Sequence, residues 1–126
     1  MANILVVDDD RSLRELLQEF LELAGHTVTT AENGLDGMNK LRAGNFVLVT
    51  LDIDMPVLNG MDTLKLIRRE PKFAKLPVLM CTARNMLASI DSAFEDGATG
   101  YIVKPFNFDA LGKTVAKSLA GSPARP

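Results

Sequence analysis

Short apolar runs alternate with helical hydrophobic periods along the chain, and each pair predicts one strand followed by one helix. The apolar runs predict strands at 4–7, 26–30, 46–51, 76–81 and 101–103. Apolar residues at helical spacing predict helices at about 13–24, 34–43, 60–70, 85–96 and 107–119. The first four helices end at a glycine or proline: Gly25, Gly44, Pro71 and Gly97.

This regular alternation predicts an α/β fold, a doubly wound five-stranded parallel sheet with five helices on its two faces. The run 4–7 is unbroken, as expected for a strand covered on both sides, whereas 26–30 alternates and is expected at an edge. Sites in such sheets form beyond the carboxyl ends of the strands. The residues at those ends are therefore the first candidates for function.

Size and charge narrow the class of protein. The 126 residues suit one domain, predicted over 1–120, with a disordered tail at 121–126. A net charge of −2 leaves no basic surplus for nucleic acid. No apolar run predicts a membrane span, and the single cysteine, Cys81, suits a reducing compartment as a core thiol. The expectation is a cytoplasmic monomer without membrane or nucleic-acid partners.

Charged and polar side chains stand at the predicted carboxyl ends of four strands. They are Asp8, Asp9 and Asp10 after the first strand, Asp52 after the third, Thr82 after the fourth and Lys104 after the fifth. Two like charges about 4 Å apart repel by roughly 4 kcal/mol at an effective dielectric near 20, so clustered acids need a cation or a proton. Carboxylate oxygens suit Mg²⁺, whereas zinc would prefer histidine or cysteine.

Each of these residues also has a structural explanation when it is taken alone. Asp10 precedes a helical period and is expected to be its N-cap. Thr82 could be an ordinary strand-end hydroxyl, and Lys104 an exposed turn lysine. Their joint placement at the ends of alternating strands favours one shared site instead.

Four motifs in this order resemble the response-regulator receiver family. They are VVDDD at 6–10, LDIDMP with Gly60 at 51–60, CTA at 81–83 and GYIVKPF at 100–106. The resemblance covers residues 3 to about 120 and implies a flavodoxin-like, CheY-like sheet of strand order 2-1-3-4-5. It implies two-component signalling by a phosphoacceptor that is not itself an enzyme, although it assists its own phosphorylation and dephosphorylation.

The resemblance also assigns roles to individual residues. Asp52 would take a phosphoryl group from a histidine kinase or phosphotransfer protein, and Lys104 and Thr82 would contact the phosphoryl oxygens. Mg²⁺ would be bound by Asp8, Asp9, Asp52 and the backbone carbonyl of Asp54. Gly60 would allow a tight loop after the third strand, and the bond before Pro105 is in the family's cis position.

A switch follows from the same resemblance. Thr82 would move toward the phosphoryl group and Tyr101 would turn into the vacated space, which repacks the face of helix four, strand five and helix five. A downstream protein would bind that face. Helix four carries more apolar positions than one core stripe needs, and both their full burial and an exposed docking patch stay open. These positions are Met86, Leu87, Ile90, Ala93 and Phe94.

The sequence departs from the family pattern at a few positions. Val47 stands where an acid is frequent and Thr50 where leucine is frequent, and both are expected to lie in the third strand and to affect packing. Asp54 and Arg84 would flank the phosphoryl group, where side chains tune attack by water on the acyl phosphate. They could pair as a gate over the site, or Arg84 could point into solvent.

Two other classes of protein are compatible with part of the pattern. Asp52 and Asp54 also resemble the nucleophile and acid/base pair of haloacid-dehalogenase-type phosphatases. In those enzymes the D-x-D motif lies on the first strand, whereas here Asp8 and Asp9 come first. A flavin-binding module is disfavoured because the acidic loop after the first strand would repel a phosphate.

Overall fold

The computed structural model describes residues 2–83 and 88–120, which form a five-stranded parallel sheet in the order β2-β1-β3-β4-β5. The predicted fold and strand order are confirmed. The strands are β1 (Asn3–Val7), β2 (Thr27–Ala31), β3 (Leu48–Asp52), β4 (Val78–Ala83) and β5 (Gly100–Lys104). The helices are α1 (Arg11–Leu23), α2 (Gly34–Ala43), α3 (Gly60–Arg69), α4 (Ser89–Glu95) and α5 (Phe108–Leu119), with a 3₁₀ turn at Pro71–Phe73.

Four helices begin at a side chain that satisfies a backbone N–H of the first turn. Asp10, Asn33, Asn59 and Asn107 each accept a hydrogen bond from the residue three positions later. The predicted N-cap role of Asp10 is therefore confirmed. Asp10 lies between β1 and α1 and Asn59 lies between β3 and α3, so these two caps also help to fix the loops at the carboxyl end of the sheet.

Apolar side chains form one core on each face of the sheet. One core packs against α1 and α5 and includes Leu17, Leu21 and Leu111. The other packs against α2, α3 and α4 and includes Leu41, Ile67 and Ile90. Thr50 lies between buried neighbours in β3, and its hydroxyl has no hydrogen-bond partner among the described residues.

The third and fourth strands begin two residues later than the apolar runs predict. The apolar run predicts that Val47 lies in a strand, but the residue precedes β3 and is 48% exposed. Pro77 precedes β4, since a proline has no backbone N–H to donate to a ladder. Hydrophobicity alone does not locate these ends, because they depend on pairing: β3 begins at Leu48, which pairs with Ile4 of β1, and β4 begins at Val78, which pairs with Val49.

Some predicted features fall outside the described residues. These are Arg84, the apolar residues Met86 and Leu87, and the tail 121–126. Of the other apolar positions of α4, Ile90 and Ala93 are buried and Phe94 is partly buried. Over 2–83 and 88–120, no helix is long and apolar enough to cross a bilayer.

Candidate functional site

Three carboxylates meet at the carboxyl end of the sheet. Asp8 and Asp9 follow β1, Asp52 ends β3, and one oxygen from each lies within 4.8 Å of the others. Asp8 and Asp52 are buried, whereas Asp9 is exposed. The predicted convergence of these acids is thus present in the structure, with one side open to solvent.

Lys104 brings a positive charge from β5 into this cluster. Its Nζ lies 2.9 Å from Oδ1 of Asp52 and 3.0 Å from Oδ2 of Asp8. Burial by itself would lower the pKa of Lys104, but the hydrogen bond to Asp52 and the charge of Asp8 raise the pKa above its usual value. The side chain therefore remains an ammonium that bridges two strands.

Asp8 is held in place from several directions. Its backbone N–H donates to the Ala31 carbonyl at 3.1 Å, and its Oδ1 accepts from the Asp10 N–H at 2.9 Å. Arg14 of α1 donates through Nη1 to the Asp8 carbonyl at 2.8 Å. Nothing in the motif pattern pointed to Arg14, because its contact is with backbone and depends on how α1 packs.

The carboxyl of Asp52 is the most perturbed acid of the cluster. Burial raises the pKa of Asp52 to about 7, an effect that the hydrogen bond from Lys104 opposes and the charge of Asp8 reinforces. Two carboxylates share one ammonium, so the cluster carries excess negative charge when both acids are ionised. The site is therefore suited to a further cation.

The loop between β3 and α3 passes directly over the end of β3. A Cβ atom at Gly60 would collide with the backbone carbonyl of Asp52, and the Gly60 N–H donates to the Ile53 carbonyl at 2.8 Å. Close approach explains the glycine, in agreement with the tight loop predicted here. Val57 in the same loop has φ 70°, a strained backbone for a β-branched residue, and this conformation was not predicted from the sequence.

A cavity of about 130 Å³ adjoins Asp52. It is lined by Asp52, Ile53, Asp54, Cys81, Thr82, Ala83 and Lys104. The Thr82 hydroxyl is buried and donates to the Ala83 carbonyl at 3.2 Å. The cavity thus places a carboxylate, a hydroxyl and an ammonium around one space that can receive a small anionic group.

Cys81 lies beside this cavity without being a candidate nucleophile. It pairs with Asp52 in the ladder between β3 and β4, and it is buried. Burial raises the pKa of the thiol to about 12, so it stays protonated. The interpretation of Cys81 as a core thiol agrees with this environment.

The remaining predicted residues lie at the margins of the cavity. The side chain of Asp54 is exposed, and its proposed partner Arg84 lies outside the described residues, so the gate stays a prediction. Tyr101 is 42% exposed and meets Phe94 edge-on at 6.4 Å between ring centroids. The Lys104–Pro105 peptide bond is cis, as the resemblance implied.

Comparison with known proteins places these features in context. The sequence profile of the family described as "Response regulator receiver domain" matches residues 4–116. The chain is 36% identical over 115 residues to the chemotaxis protein CheY of Pseudomonas aeruginosa, covering 90% of this chain and 93% of that protein. It is 47% identical over 107 residues to a CpxR homolog, a transcriptional regulatory protein of Haemophilus influenzae. This match covers 85% of the present chain but only 45% of the relative.

A solved structure agrees with these sequence matches. The crystal structure of the chemotaxis response regulator CheY4 of Vibrio cholerae superposes with a TM-score of 0.88 at 34% identity, covering 94% of this chain and 98% of that one. These matches give no support to the haloacid-dehalogenase-type alternative. With the motifs, the strand order and the acid cluster all in place, the chain belongs to the response-regulator receiver family of two-component systems.

Proposed function

We propose that Asp52 accepts a phosphoryl group from a histidine kinase or a phosphotransfer protein. The observation that carries this proposal is the contact of Lys104 with both Asp52 and Asp8 beside a small cavity. A lysine in that position would neutralise the charge of an incoming phosphoryl group while the carboxylate of Asp52 attacks it. The carboxylate forms a bond to phosphorus as the bond to the donor's nitrogen breaks.

The residues around Asp52 supply positioning and charge, which are the main requirements of phosphoryl transfer. Asp52 must be ionised to attack, so its raised pKa predicts that, without a bound cation, transfer is faster as the pH increases through about 7. The ammonium of Lys104 would move from the carboxylates to the phosphoryl oxygens. The hydroxyl of Thr82 would turn from the Ala83 carbonyl to donate to the same oxygens.

A divalent cation fits the acid cluster, and we propose Mg²⁺. Asp8, Asp9 and Asp52 offer oxygen ligands, and no described residue donates a hydrogen bond to the Asp54 carbonyl. When bound, the ion would neutralise carboxylate and phosphoryl charge and would lower the pKa of Asp52. The exposed side of the cluster at Asp9 leaves room for the water ligands that Mg²⁺ retains.

The output is proposed to be a protein contact. Movement of Thr82 and Tyr101 would repack the face of α4, β5 and α5, where an apolar cavity of about 340 Å³ lies against Tyr101 and Pro105. A cytoplasmic, monomeric domain that switches a partner without catalysing a separate reaction fits this arrangement. The domain spans only 45% of the CpxR homolog that it resembles, so the activity of a longer protein is a further proposal.

Mass spectrometry after incubation with acetyl phosphate and Mg²⁺ tests the assignment. The wild type should gain one phosphoryl group, Asp52→Asn should gain none, and Asp54→Asn, which removes a neighbouring exposed charge, should still be labelled. Labelling of Asp52→Asn would contradict the proposal. Turnover of p-nitrophenyl phosphate by the wild type would instead favour a phosphatase.

A further inference from the structure

A groove lies at the end of the sheet opposite the acid cluster. Its volume is about 420 Å³, and it runs between the segment before β3 and the segment before β4. The lining residues are Gly44, Asn45, Phe46, Val47, Lys72, Phe73, Lys75 and Leu76. None of them belongs to the site described above, because Val47 is separated from Asp52 by the length of β3, roughly 16 Å.

The floor of the groove is apolar and partly open to solvent. Val47 is 48% exposed, Phe46 and Leu76 are partly buried, and Phe73 is buried beneath them. Because about half of Val47 is exposed, its apolar side chain is not part of the core. An apolar side chain in this place lowers the free energy of the protein only when a partner covers it.

The rim of the groove is positively charged. Lys72 and Lys75 are exposed, and neither forms an ion pair with an acid of the described residues. The ammonium of Lys72 lies 4.9 Å from the centre of the Phe73 ring, which holds it beside the apolar floor. The whole chain has a net charge of −2, so this local surplus of positive charge runs against the overall balance.

We propose that this groove binds an acidic peptide segment of another protein, with one large apolar side chain on Val47 and Leu76 and carboxylates at Lys72 and Lys75. Charge complementarity selects this occupant over a neutral or basic segment. Binding here leaves the acid cluster and the β5–α5 face free. The partner would therefore associate with both the phosphorylated and the unphosphorylated protein. A target that binds the face of α4, β5 and α5 would instead distinguish the two forms.

Two synthetic peptides test the proposal, one with glutamates around a central phenylalanine and one with glutamines in their place. In amide NMR titrations of the full chain, the glutamate peptide should shift signals of Asn45, Val47 and Leu76. It should bind about fivefold to tenfold more tightly than the glutamine peptide, and the difference should shrink at high salt. Labelling with acetyl phosphate should leave its affinity unchanged.

Variants separate the groove from general electrostatics. Lys72→Glu combined with Lys75→Glu should weaken the glutamate peptide at least fivefold, as should Val47→Asp, whereas Lys113→Glu on α5 should not. All four positions are exposed, and unchanged melting temperatures would show that the fold is intact. Shifts confined to other surfaces, or equal affinity for both peptides, would overturn the proposal. So would a dimer in sedimentation that Val47→Asp dissociates, or binding to anionic vesicles that competes with the peptide.

Discussion

The two ends of β3 hold lysines in opposite circumstances. At the carboxyl end, the side chain of Lys104 is mostly buried and contacts two carboxylates within 3.0 Å. At the amino end, Lys72 and Lys75 are exposed, and neither has a carboxylate partner in the described part of the chain. The same residue type thus stabilises a buried charge cluster at one end and presents charge to solvent at the other. Burial decides how much each lysine contributes to stability.

Removing the charge of a lysine should therefore change the free energy of unfolding by very different amounts at the two ends of β3. Lys104→Met leaves Asp8 and Asp52 buried without their ammonium, and we expect a loss of about 3–5 kcal/mol at pH 8 in urea unfolding. The loss should shrink toward pH 5, because Asp52 then binds a proton. Lys75→Met should cost less than about 0.5 kcal/mol. Similar losses from both substitutions would show that the contrast between the two ends is wrong.

The next largest effect concerns the charge on Asp52. Its pKa is about 7 in the folded protein against 3.8 for an exposed carboxyl, so the folded state binds this proton more tightly than the unfolded state. The ionised carboxyl therefore lowers stability above pH 7, and this penalty fades as the pH falls from 7 toward 4. Asp52→Asn should be more stable than the wild type by about 4 kcal/mol at pH 8 and by less than half of that at pH 5. Parallel pH profiles of the two proteins would contradict this.

A metal ion should stabilise the folded protein by binding at the carboxyl end of the sheet. Mg²⁺ at roughly ten times its Kd should add about 1.4 kcal/mol to the stability of the wild type, measured as a rise in Tm. Asp9→Ala should lose most of that rise, whereas Asp91→Ala, an exposed acid of α4, should keep it. An equal rise in Asp9→Ala would place the ion elsewhere.

The smallest expected change in stability concerns Thr50, which lies in the buried middle of β3 between the two ends. Thr50→Val removes a buried hydroxyl that has no hydrogen-bond partner within residues 2–83 and 88–120, and we expect a gain of about 1 kcal/mol. Thr63→Val is the matched control, since the buried Thr63 hydroxyl donates to the Asn59 carbonyl at 2.7 Å and its loss should destabilise. Both are read from urea midpoints, and a destabilised Thr50→Val would show that a partner for the hydroxyl exists.

The sequence was sufficient for the carboxyl end of the sheet but not for the amino end. Alternating strands and helices require the carboxyl ends to share one edge, so Asp8, Asp52 and Lys104 could be brought together without coordinates. The position of Val47 could not be predicted, because an apolar residue there is compatible both with a buried strand and with the exposed floor of the groove. The contact of Arg14 and the strain at Val57 depend on backbone geometry, which leaves no mark in hydrophobic periodicity.

The lysine that bridges Asp8 and Asp52 is translated after both acids, so the proposed site is complete only late in synthesis of the chain. Asp8 follows the first strand and Asp52 ends the third, whereas the lysine lies in the last strand, 52 positions after Asp52. A nascent chain that ends before β5 has the acids but not the ammonium. Under the proposed function, such a chain is a poor phosphoacceptor, so incomplete molecules do not compete with finished ones for the phosphodonor. On that proposal, the chain would become able to accept a phosphoryl group only when the final strand has joined the sheet.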